Sequence, residues 1–294
     1  MKKILSLALI FTSAVGAFAN APSASLGWRL LDQGKYTESE KEFRALAQTG
    51  DFVGVTGTMF ALRRQRKNAD VVKEVDAWIA ANSNATADQK ASLLVFKGNA
   101  LRDTGKNDEA FAAYTEGINL KSAGPASTDC AKEAIAAAIN AGNFDLGKKI
   151  YADASQQPVA MKNVGFLINS ANLMWKVNNP EEGMKLLDTV EKLKYPPYIE
   201  ESIHRIRGYF YRDGLGKYEE AVKSFEKALA VPNVNASQKA VLWNNIGMAY
   251  EKDEEYEKAV EAFKKVGTFG VSGWFVKSAE NSAVRLQKKI DAGE

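Results

Sequence analysis

The sequence predicts an all-α protein, built as a solenoid of about seven helical hairpins and closed by a C-terminal capping helix. Three observations support this fold class. The segment 243–266 carries two apolar stripes at helical spacing, joined by a short polar turn. Similar segments recur along the chain, which is the pattern of a repeat protein. The prolines lie mostly between these segments, as expected for a residue that is poorly tolerated inside helices.

The clearest hairpin is the segment WNNIGMAYEKDEEYEKAVEAFKKV at 243–266. In its first half, Trp243, Ile246 and Tyr250 share one face of a helix. Gly247 lies beside that face, although glycine inside a helix costs about 1 kcal/mol relative to alanine. A close approach of a second helix is the expected compensation. The stripe of the second helix consists of Ala259, Phe263 and Val266.

Further segments keep this spacing of small and large apolar residues. The pattern resembles the tetratricopeptide repeat, whose motif is roughly W-x2-LG-x2-Y followed by Y, A, F, A and P across about 34 residues. The resemblance covers residues 22 to about 270 and implies a right-handed superhelical solenoid. Clear copies lie at 26–46, 98–118 and 208–229 (the last with one extra residue in its turn), weaker copies at 131–154 and 167–190, and a degenerate copy at 55–79.

The N-terminal stretch MKKILSLALIFTSAVGAFAN has the features of a secretory signal peptide. Lys2 and Lys3 precede an apolar run that is too short for a typical membrane-spanning helix, and Ala17-Phe18-Ala19 forms an A-x-A cleavage site. We expect residues 1–19 to be removed and the mature chain to be periplasmic or secreted. The expected domains of the mature chain are the repeat array at 20–270 and the capping helix at 271–294.

The C-terminal segment predicts an amphipathic helix from Ser272 to Ile290. A helix with one apolar stripe and a polar back would cover the last hairpin, as repeat arrays require at their ends. A helix that lies on a membrane surface is the alternative. The predicted stripe consists of Phe275, Ala279, Ala283, Leu286 and Ile290.

Charge and residue chemistry argue against nucleic-acid binding and against catalysis. The chain has 39 basic and 36 acidic side chains, and loss of Lys2 and Lys3 leaves it nearly neutral, without the basic footprint of a nucleic-acid-binding protein. The single cysteine, Cys130, and the single histidine, His204, fall in different repeats, which argues against a nucleophile–base pair. We therefore expect no enzyme activity, no cofactor and no metal, and interpret both residues as structural.

The remaining candidate for a functional site is a surface of the predicted repeat array. In the tetratricopeptide repeat family the first helix of each repeat lines a concave groove, so the resemblance implies a partner-binding role for residues beside each packing stripe. Amides can pair with a peptide backbone, arginines can hold carboxylates, and aromatic residues anchor interfaces. The family's chaperone-tail clamp is not matched, because Ala136 stands four residues after Lys132. The positions carried over are Arg63, Asn99, Arg102, Lys132, Asn172, Trp175, Lys176, Arg205, Tyr209, Arg212, Asn244 and Met248.

Two functions fit these features. The first is an exported scaffold that binds a protein or peptide partner in the cell envelope through its concave groove. The second is a periplasmic binding protein that holds a small or lipid-like ligand inside the superhelix. The charged and amide-rich groove, with positive charge expected at Arg102, Lys176, Arg205 and Arg212, favours the first function. The basic run RRQRK at 63–67 is either a solvated helix end or an anion contact at one end of the groove.

The signal-peptide interpretation makes a direct prediction. We expect the mature protein to begin at Asn20 and to be recovered from the soluble exported fraction, because the charged start, apolar run and A-x-A site direct export and cleavage. N-terminal sequencing of that fraction measures this. Retention of Met1, or a lipid on the first residue, would contradict it.

Overall fold

The computed structural model describes residues 22–293, apart from the side chain of Trp274. These residues fold mainly as pairs of helices. Within that range there are fifteen α-helices and no strand. The predicted signal peptide at 1–19 lies outside the described residues. The chain divides into two units, an N-terminal unit that ends at Ser122 and a C-terminal unit that begins at Ala123.

The described part of the N-terminal unit consists of three helical pairs. The two helices of each pair pack against each other, and the first helices of successive pairs are also neighbours. The helices are α1 (Ala24–Asp32), α2 (Tyr36–Gln48), α3 (Phe52–Arg64), α4 (Asn68–Ala81), α5 (Ala87–Asp103) and α6 (Asn107–Asn119).

The C-terminal unit contains four helical pairs and one further helix within its described residues. A short 3-10 helix at Ala160–Lys162 precedes the second pair, and a π-helical turn at Phe210–Gly214 extends the first helix of the third pair. The helices are α7 (Ala126–Asn140), α8 (Phe144–Ala154), α9 (Val164–Lys176), α10 (Pro180–Glu191), α11 (Tyr198–Tyr209), α12 (Tyr218–Ala230), α13 (Ala236–Lys252), α14 (Tyr256–Gly267) and α15 (Trp274–Asp291).

The degenerate copy at 55–79 folds as a helical pair. Helices α3 and α4 span it, and Leu62, Val71 and Val75 are buried in one apolar cluster with residues of α5. Burial of the apolar stripe is sufficient for packing here even though the repeat motif is poorly kept, because roughly 25 cal/mol is gained for each Å² of apolar surface removed from water.

Two helices, α5 and α13, begin with a capping box. The Thr86 side chain accepts a hydrogen bond from the backbone of Gln89, and the Gln89 side chain accepts one from the backbone of Thr86. Asn235 and Gln238 form the same reciprocal pair at the start of α13. Each capping box satisfies backbone donors that would otherwise be unpaired at a helix N-terminus.

A glycine on the first helix faces an aromatic ring on the second helix in four pairs. A Cβ added at Gly247 would lie 2.7 Å from ring carbons of Phe263, and one added at Gly27 would lie 2.6 Å from the ring of Phe43. Real side chains essentially never tolerate contacts this short. The predicted close approach at Gly247 is therefore confirmed. The four contacts are Gly27 with Phe43, Gly98 with Tyr114, Gly208 with Phe225, and Gly247 with Phe263.

Helix α15 covers the last pair, as predicted. Ala279, Ala283 and Leu286 are buried in one cluster with Phe263 and Val266 of α14. Phe275 and Ile290, the ends of the predicted stripe, pack against the same cluster. The apolar stripe is thus used in the core of the C-terminal unit. Within the described part of the chain, no helix combines the length and the apolar character that crossing a membrane requires.

The glycine contacts can be tested with a matched pair of alanine variants. We expect Gly247→Ala to destabilise the fold by about 1–3 kcal/mol, because the new methyl group overlaps the ring of Phe263. Gly267→Ala at the end of α14 meets nothing within 4 Å, so we expect it to be neutral or to stabilise by up to about 1 kcal/mol. Chemical denaturation of both variants measures the difference. Equal stabilities would mean that α13 and α14 do not approach as described.

Candidate partner-binding site

The residues carried over from the resemblance lie in both units. Those of the N-terminal unit are on α3 and α5, and those of the C-terminal unit are on the first helices α7, α9, α11 and α13 and on the π-helical turn. The N-terminal set is Arg63, Asn99 and Arg102; the C-terminal set is Lys132, Asn172, Trp175, Lys176, Arg205, Tyr209, Arg212, Asn244 and Met248.

In the N-terminal unit, one predicted residue is not exposed to a partner. Asn99 is buried, and its side-chain oxygen accepts a hydrogen bond of 2.8 Å from the hydroxyl of Tyr114. Asn99 therefore joins the two helices of its own pair. Arg63 is half-buried and forms an ion pair of 2.8 Å with Asp103, and Arg102 is half-buried in the last turn of α5.

In the C-terminal unit, two predicted aromatic residues from different first helices stack. The rings of Trp175 on α9 and Tyr209 on α11 have centroids 4.2 Å apart and an angle of 22° between their planes. Tyr209 is buried, whereas Trp175 is half-buried. The stack also contacts Phe225 of α12 through Tyr209, so the apolar core of this unit fixes it in place.

Three predicted cations surround this stack. The ammonium group of Lys176 lies 3.9 Å from the ring centroid of Trp175. The guanidinium groups of Arg205 and Arg212 lie 5.7 and 5.5 Å from the ring centroid of Tyr209. These distances fall within the range of cation–π attraction, which contributes about 0.5–1 kcal/mol at exposed sites and more where the groups are desolvated.

The π-helical turn at Phe210–Gly214 brings an ion pair between a buried arginine and a solvent-accessible aspartate to the same place. Arg212 is 5% exposed, and its Nε and Nη2 donate hydrogen bonds of 2.8 and 2.7 Å to the two carboxylate oxygens of Asp213. Its Nη1 donates to Asn245 of α13. The carboxylate of Asp213 also accepts a hydrogen bond of 3.0 Å from the indole nitrogen of Trp175.

These contacts change the pKa of Asp213. Burial by itself would raise the pKa of this carboxyl, but the hydrogen bonds and charge of Arg212, the Trp175 indole and the charge of Lys252 together hold it below its usual value. Asp213 is therefore ionised at neutral pH and neutralises Arg212. The prediction that Arg212 is available to hold a partner's carboxylate is wrong in this respect, because its donors are already engaged.

Arg205 is also paired within the chain. Its Nε donates a hydrogen bond of 2.8 Å to Glu201, whose side chain is 4% exposed. The predicted accumulation of free positive charge thus fails at both Arg205 and Arg212. Lys176 is different, since its side chain is exposed and no carboxylate among the described residues lies within ion-pair distance of it.

The remaining predicted residues differ in their surroundings. On α13, the Asn244 side-chain amide lies 3.6 Å from the sulfur of Met248, which in turn lies 3.8 Å from Nη1 of Arg212. On α7, Lys132 forms ion pairs with Asp129 and Glu133. Asn172 is half-buried on α9. We name the aromatic–cation cluster by its residues: Trp175, Lys176, Arg205, Tyr209, Arg212, Asp213, Asn244, Asn245 and Met248.

Sequence reasoning missed Asp213 and Asn245. The available signal was the one extra residue in the copy at 208–229, which the chain absorbs as the π-helical turn. π-Helical turns of this kind occur frequently at functional sites. Partner binding by the predicted residues that remain accessible stays a prediction.

Cys130 and His204 have the structural surroundings expected of them. Cys130 is fully buried in the helical core. His204 is half-buried on α11, and its Nε2 lies 3.9 Å from a carboxylate oxygen of Glu200. Within residues 22–293, no group of three or more histidine, cysteine, aspartate or glutamate side chains is placed to hold a metal ion.

Comparison with protein families identifies the repeats. The model of the tetratricopeptide repeat matches residues 91–123, 206–234 and 240–266. These three segments are tetratricopeptide repeats. The three matches coincide with the pairs α5–α6, α11–α12 and α13–α14, and together they span less than a third of the sequence. The comparison with curated proteins found no match.

Solved structures support the fold of the chain. A tetratricopeptide repeat protein from Parabacteroides merdae is similar over 88% of this chain and 96% of its own, with 15% identity and a TM-score of 0.56. The APC/C hetero-tetramer Cut9–Hcn1 is similar over 88% of this chain and 48% of the other, with 12% identity and a TM-score of 0.65. BtubC from P. vanneervenii is similar over 71% of this chain and 91% of its own, with 14% identity and a TM-score of 0.55.

The single histidine of the sequence, His204, gives a pH prediction. Burial lowers the pKa of His204, and the charges of Arg207 and Lys227 lower it further, while Glu200 and Glu191 act in the opposite direction. Because the folded-state pKa is below the unfolded value of about 6.5, the unfolded chain takes up the proton first as pH falls, and stability decreases.

We therefore expect the loss of melting temperature between pH 7.5 and pH 5.5 to be smaller in His204→Gln than in the unchanged protein. Differential scanning calorimetry at both pH values measures this. Between pH 8.5 and pH 7.5 the two proteins should respond alike, since His204 is neutral there in both states. An identical loss in the acidic interval would show that His204 is not desolvated.

Proposed function

We propose that this protein is an exported, periplasmic tetratricopeptide repeat scaffold that binds a protein or peptide partner in the cell envelope. Export rests on the signal-peptide features of residues 1–19. Partner binding rests on the fold, which presents side chains from successive first helices next to one another, and on the aromatic–cation cluster in the C-terminal unit. No catalytic role is part of the proposal.

The observation that carries the proposal is the assembly of the cluster from three consecutive first helices. Helix α9 supplies Trp175 and Lys176, α11 with its π-helical turn supplies Tyr209 and Arg212, and α13 supplies Asn244. Tryptophan, tyrosine and arginine are the residues most enriched at energetically dominant positions of protein interfaces. A site built on several rigid helices also keeps its geometry better than a site on loops.

The roles within the cluster follow from exposure. Arg212 and Asn245 hold the Trp175–Tyr209 stack from inside the unit, and the solvent-accessible Asp213 neutralises Arg212. Arg212 is not free to rearrange cheaply, because loss of its partner would leave a buried charge uncompensated. Lys176 and Asn244 are the accessible polar groups and would contact the partner. The partially exposed indole of Trp175 would supply the apolar part of the contact.

Charge indicates what kind of partner segment fits. Four cations lie in or beside the cluster and two carboxylates offset them, so a positive excess remains around the Trp175 ring. We propose a partner segment that carries carboxylates, either acidic side chains or a free C-terminus. The cations are Lys176, Arg205, Arg212 and Lys252, and the carboxylates are Glu201 and Asp213.

One of the structural neighbours is consistent with a protein partner. The Cut9–Hcn1 structure is described as a hetero-tetramer, so a similar helical array takes part in an assembly of more than one kind of chain. The alternative for this protein, a small or lipid-like ligand held inside the superhelix, is less favoured, because the cluster is rich in charges and amides.

Charge reversal at Lys176 tests the proposal. We expect Lys176→Glu to reduce retention of the partner by more than tenfold, because it removes the exposed cation and repels an acidic segment. Lys223→Glu is the matched control. Lys223 is also exposed, but it lies on α12, the second helix of its pair, and forms an ion pair with Glu219 of the same helix. Retention is measured by quantitative mass spectrometry after the mature protein is purified from the exported fraction, with affinity confirmed on the purified partner.

Salt dependence separates this site from a nonspecific surface. Exposed charges are screened beyond about 8 Å at physiological ionic strength, so binding should weaken with added salt in the unchanged protein and in Lys223→Glu, but little in Lys176→Glu. Melting temperatures of the three proteins should agree. If Lys176→Glu retains the partner as well as Lys223→Glu does, the cluster is not the binding site.

A further inference from the structure

A second candidate site lies in the N-terminal unit, and none of its lining residues belongs to the proposed partner site. A pocket of about 430 Å³ opens between the end of α2, the first turn of α3, the end of α4 and the loop that leads to α5. Its size falls within the range typical of small-molecule sites, about 300–1,000 Å³. Residues that define it include Phe52, Val55, Trp78, Asn82, Asn84 and Gln89.

We propose that this pocket binds a neutral sugar, such as a terminal ring of an uncharged oligosaccharide. A sugar ring has an apolar face of C–H groups and an edge of hydroxyl groups that both donate and accept hydrogen bonds. A matching pocket needs an aromatic surface, neutral donors and acceptors beside it, and no charge that lacks a counter-charge. The residues named above meet these three requirements.

The aromatic surface is formed by Phe52 and Trp78. Their ring centroids are 5.4 Å apart with an angle of 54° between the planes, and both side chains are half-buried. Both also pack against the apolar cluster of α3, α4 and α5, which fixes their orientation. The indole N–H of Trp78 has no hydrogen-bond acceptor among the described residues, so it remains available to a ligand hydroxyl.

The neutral polar groups come from three amide side chains. The nitrogen of the Asn82 amide donates a bond of 2.8 Å to the carbonyl of Trp78, which leaves its oxygen as an acceptor. The oxygen of the Gln89 amide is used in the capping box with Thr86, which leaves its nitrogen as a donor. Asn84 is exposed, and its amide makes no hydrogen bond within residues 22–293.

The charge pattern favours a neutral ligand. No aspartate, glutamate, lysine or arginine lines the pocket in the described structure. The three charged residues that directly neighbour lining residues in the sequence are engaged: Asp51 with the backbone of Val53, Asp88 with the hydroxyl of Ser122, and Lys90 with the carbonyl of Ser83. A charged ligand would lose hydration here without gaining a counter-charge, which is unfavourable. The cluster in the C-terminal unit has the opposite character.

The test uses saturation-transfer NMR on the mature protein with three neutral disaccharides, maltose, cellobiose and N,N′-diacetylchitobiose. We expect saturation transfer to at least one, with a Kd in the millimolar range or tighter. Asn84→Ala should weaken that Kd about fivefold or more without changing the melting temperature, because the Asn84 amide has no structural role. Trp78→Phe should weaken it as well, through loss of the indole N–H and of ring area.

Three controls make the outcome decisive. Asn140→Ala at the exposed end of α7 should leave the Kd unchanged. Digalacturonic acid and the neutral peptide acetyl-Gly-Ser-Gly-amide should show no competition with the bound disaccharide. The proposal is overturned if none of the three disaccharides binds, if Asn84→Ala binds as tightly as the unchanged protein, or if either competitor displaces the sugar.

Discussion

Two helices can approach closely only where one of them presents no side chain, and this constraint sets the packing of at least four of the helical pairs. The ring of Phe263 occupies the space that Gly247 leaves open, and the ring of Tyr114 does the same beside Gly98. Each ring is fully or almost fully buried, so it contributes apolar burial while it fixes the distance and the axial register of the two helices. Everything built on the first helices depends on that register, because a side chain such as Trp175 meets Tyr209 only when neighbouring pairs repeat the same geometry.

Electrostatics in the C-terminal unit are local and largely balanced. The buried guanidinium of Arg212 would be costly without Asp213, and Asp213 is held in place by Arg212 and by the indole of Trp175. The pair therefore positions the aromatic stack, and little of its charge is left for a ligand. The part that faces solvent is smaller than the whole cluster, and besides the paired Asp213 it includes Lys176, part of Trp175 and the amide of Asn244. Such a division between supporting and contacting side chains is common in preorganised sites.

The sequence was sufficient for the fold because the repeat pattern, the prolines and the caps all indicate the same structure. The capping box at Thr86 and the close contact at Gly247 could both be predicted from spacing alone. The candidate site was predicted less completely. Asn99 lies at an inward position of its helix, but it is buried and bonded to the Tyr114 hydroxyl. The geometry of a single helix does not show whether a side chain from a neighbouring helix will cover such a position. Helical periodicity predicts a free cation at Arg212, because its neutralising partner, Asp213, is oriented by a π-helical turn that no periodicity argument describes.

That π-helical turn also preserves the rotational alignment of the apolar stripes along the repeats. An additional residue in an α-helix rotates all later side chains by about 100° around the axis, which would turn an apolar stripe away from its neighbour. Here the insertion is confined to Phe210–Gly214, at the end of its helix, so Gly208 still faces Phe225 and the following helix begins in step with the others. The chain therefore tolerates a local change of length where it alters the surface and leaves the core unchanged. Other helix ends of the array offer the same freedom to acquire new surface chemistry without a new fold.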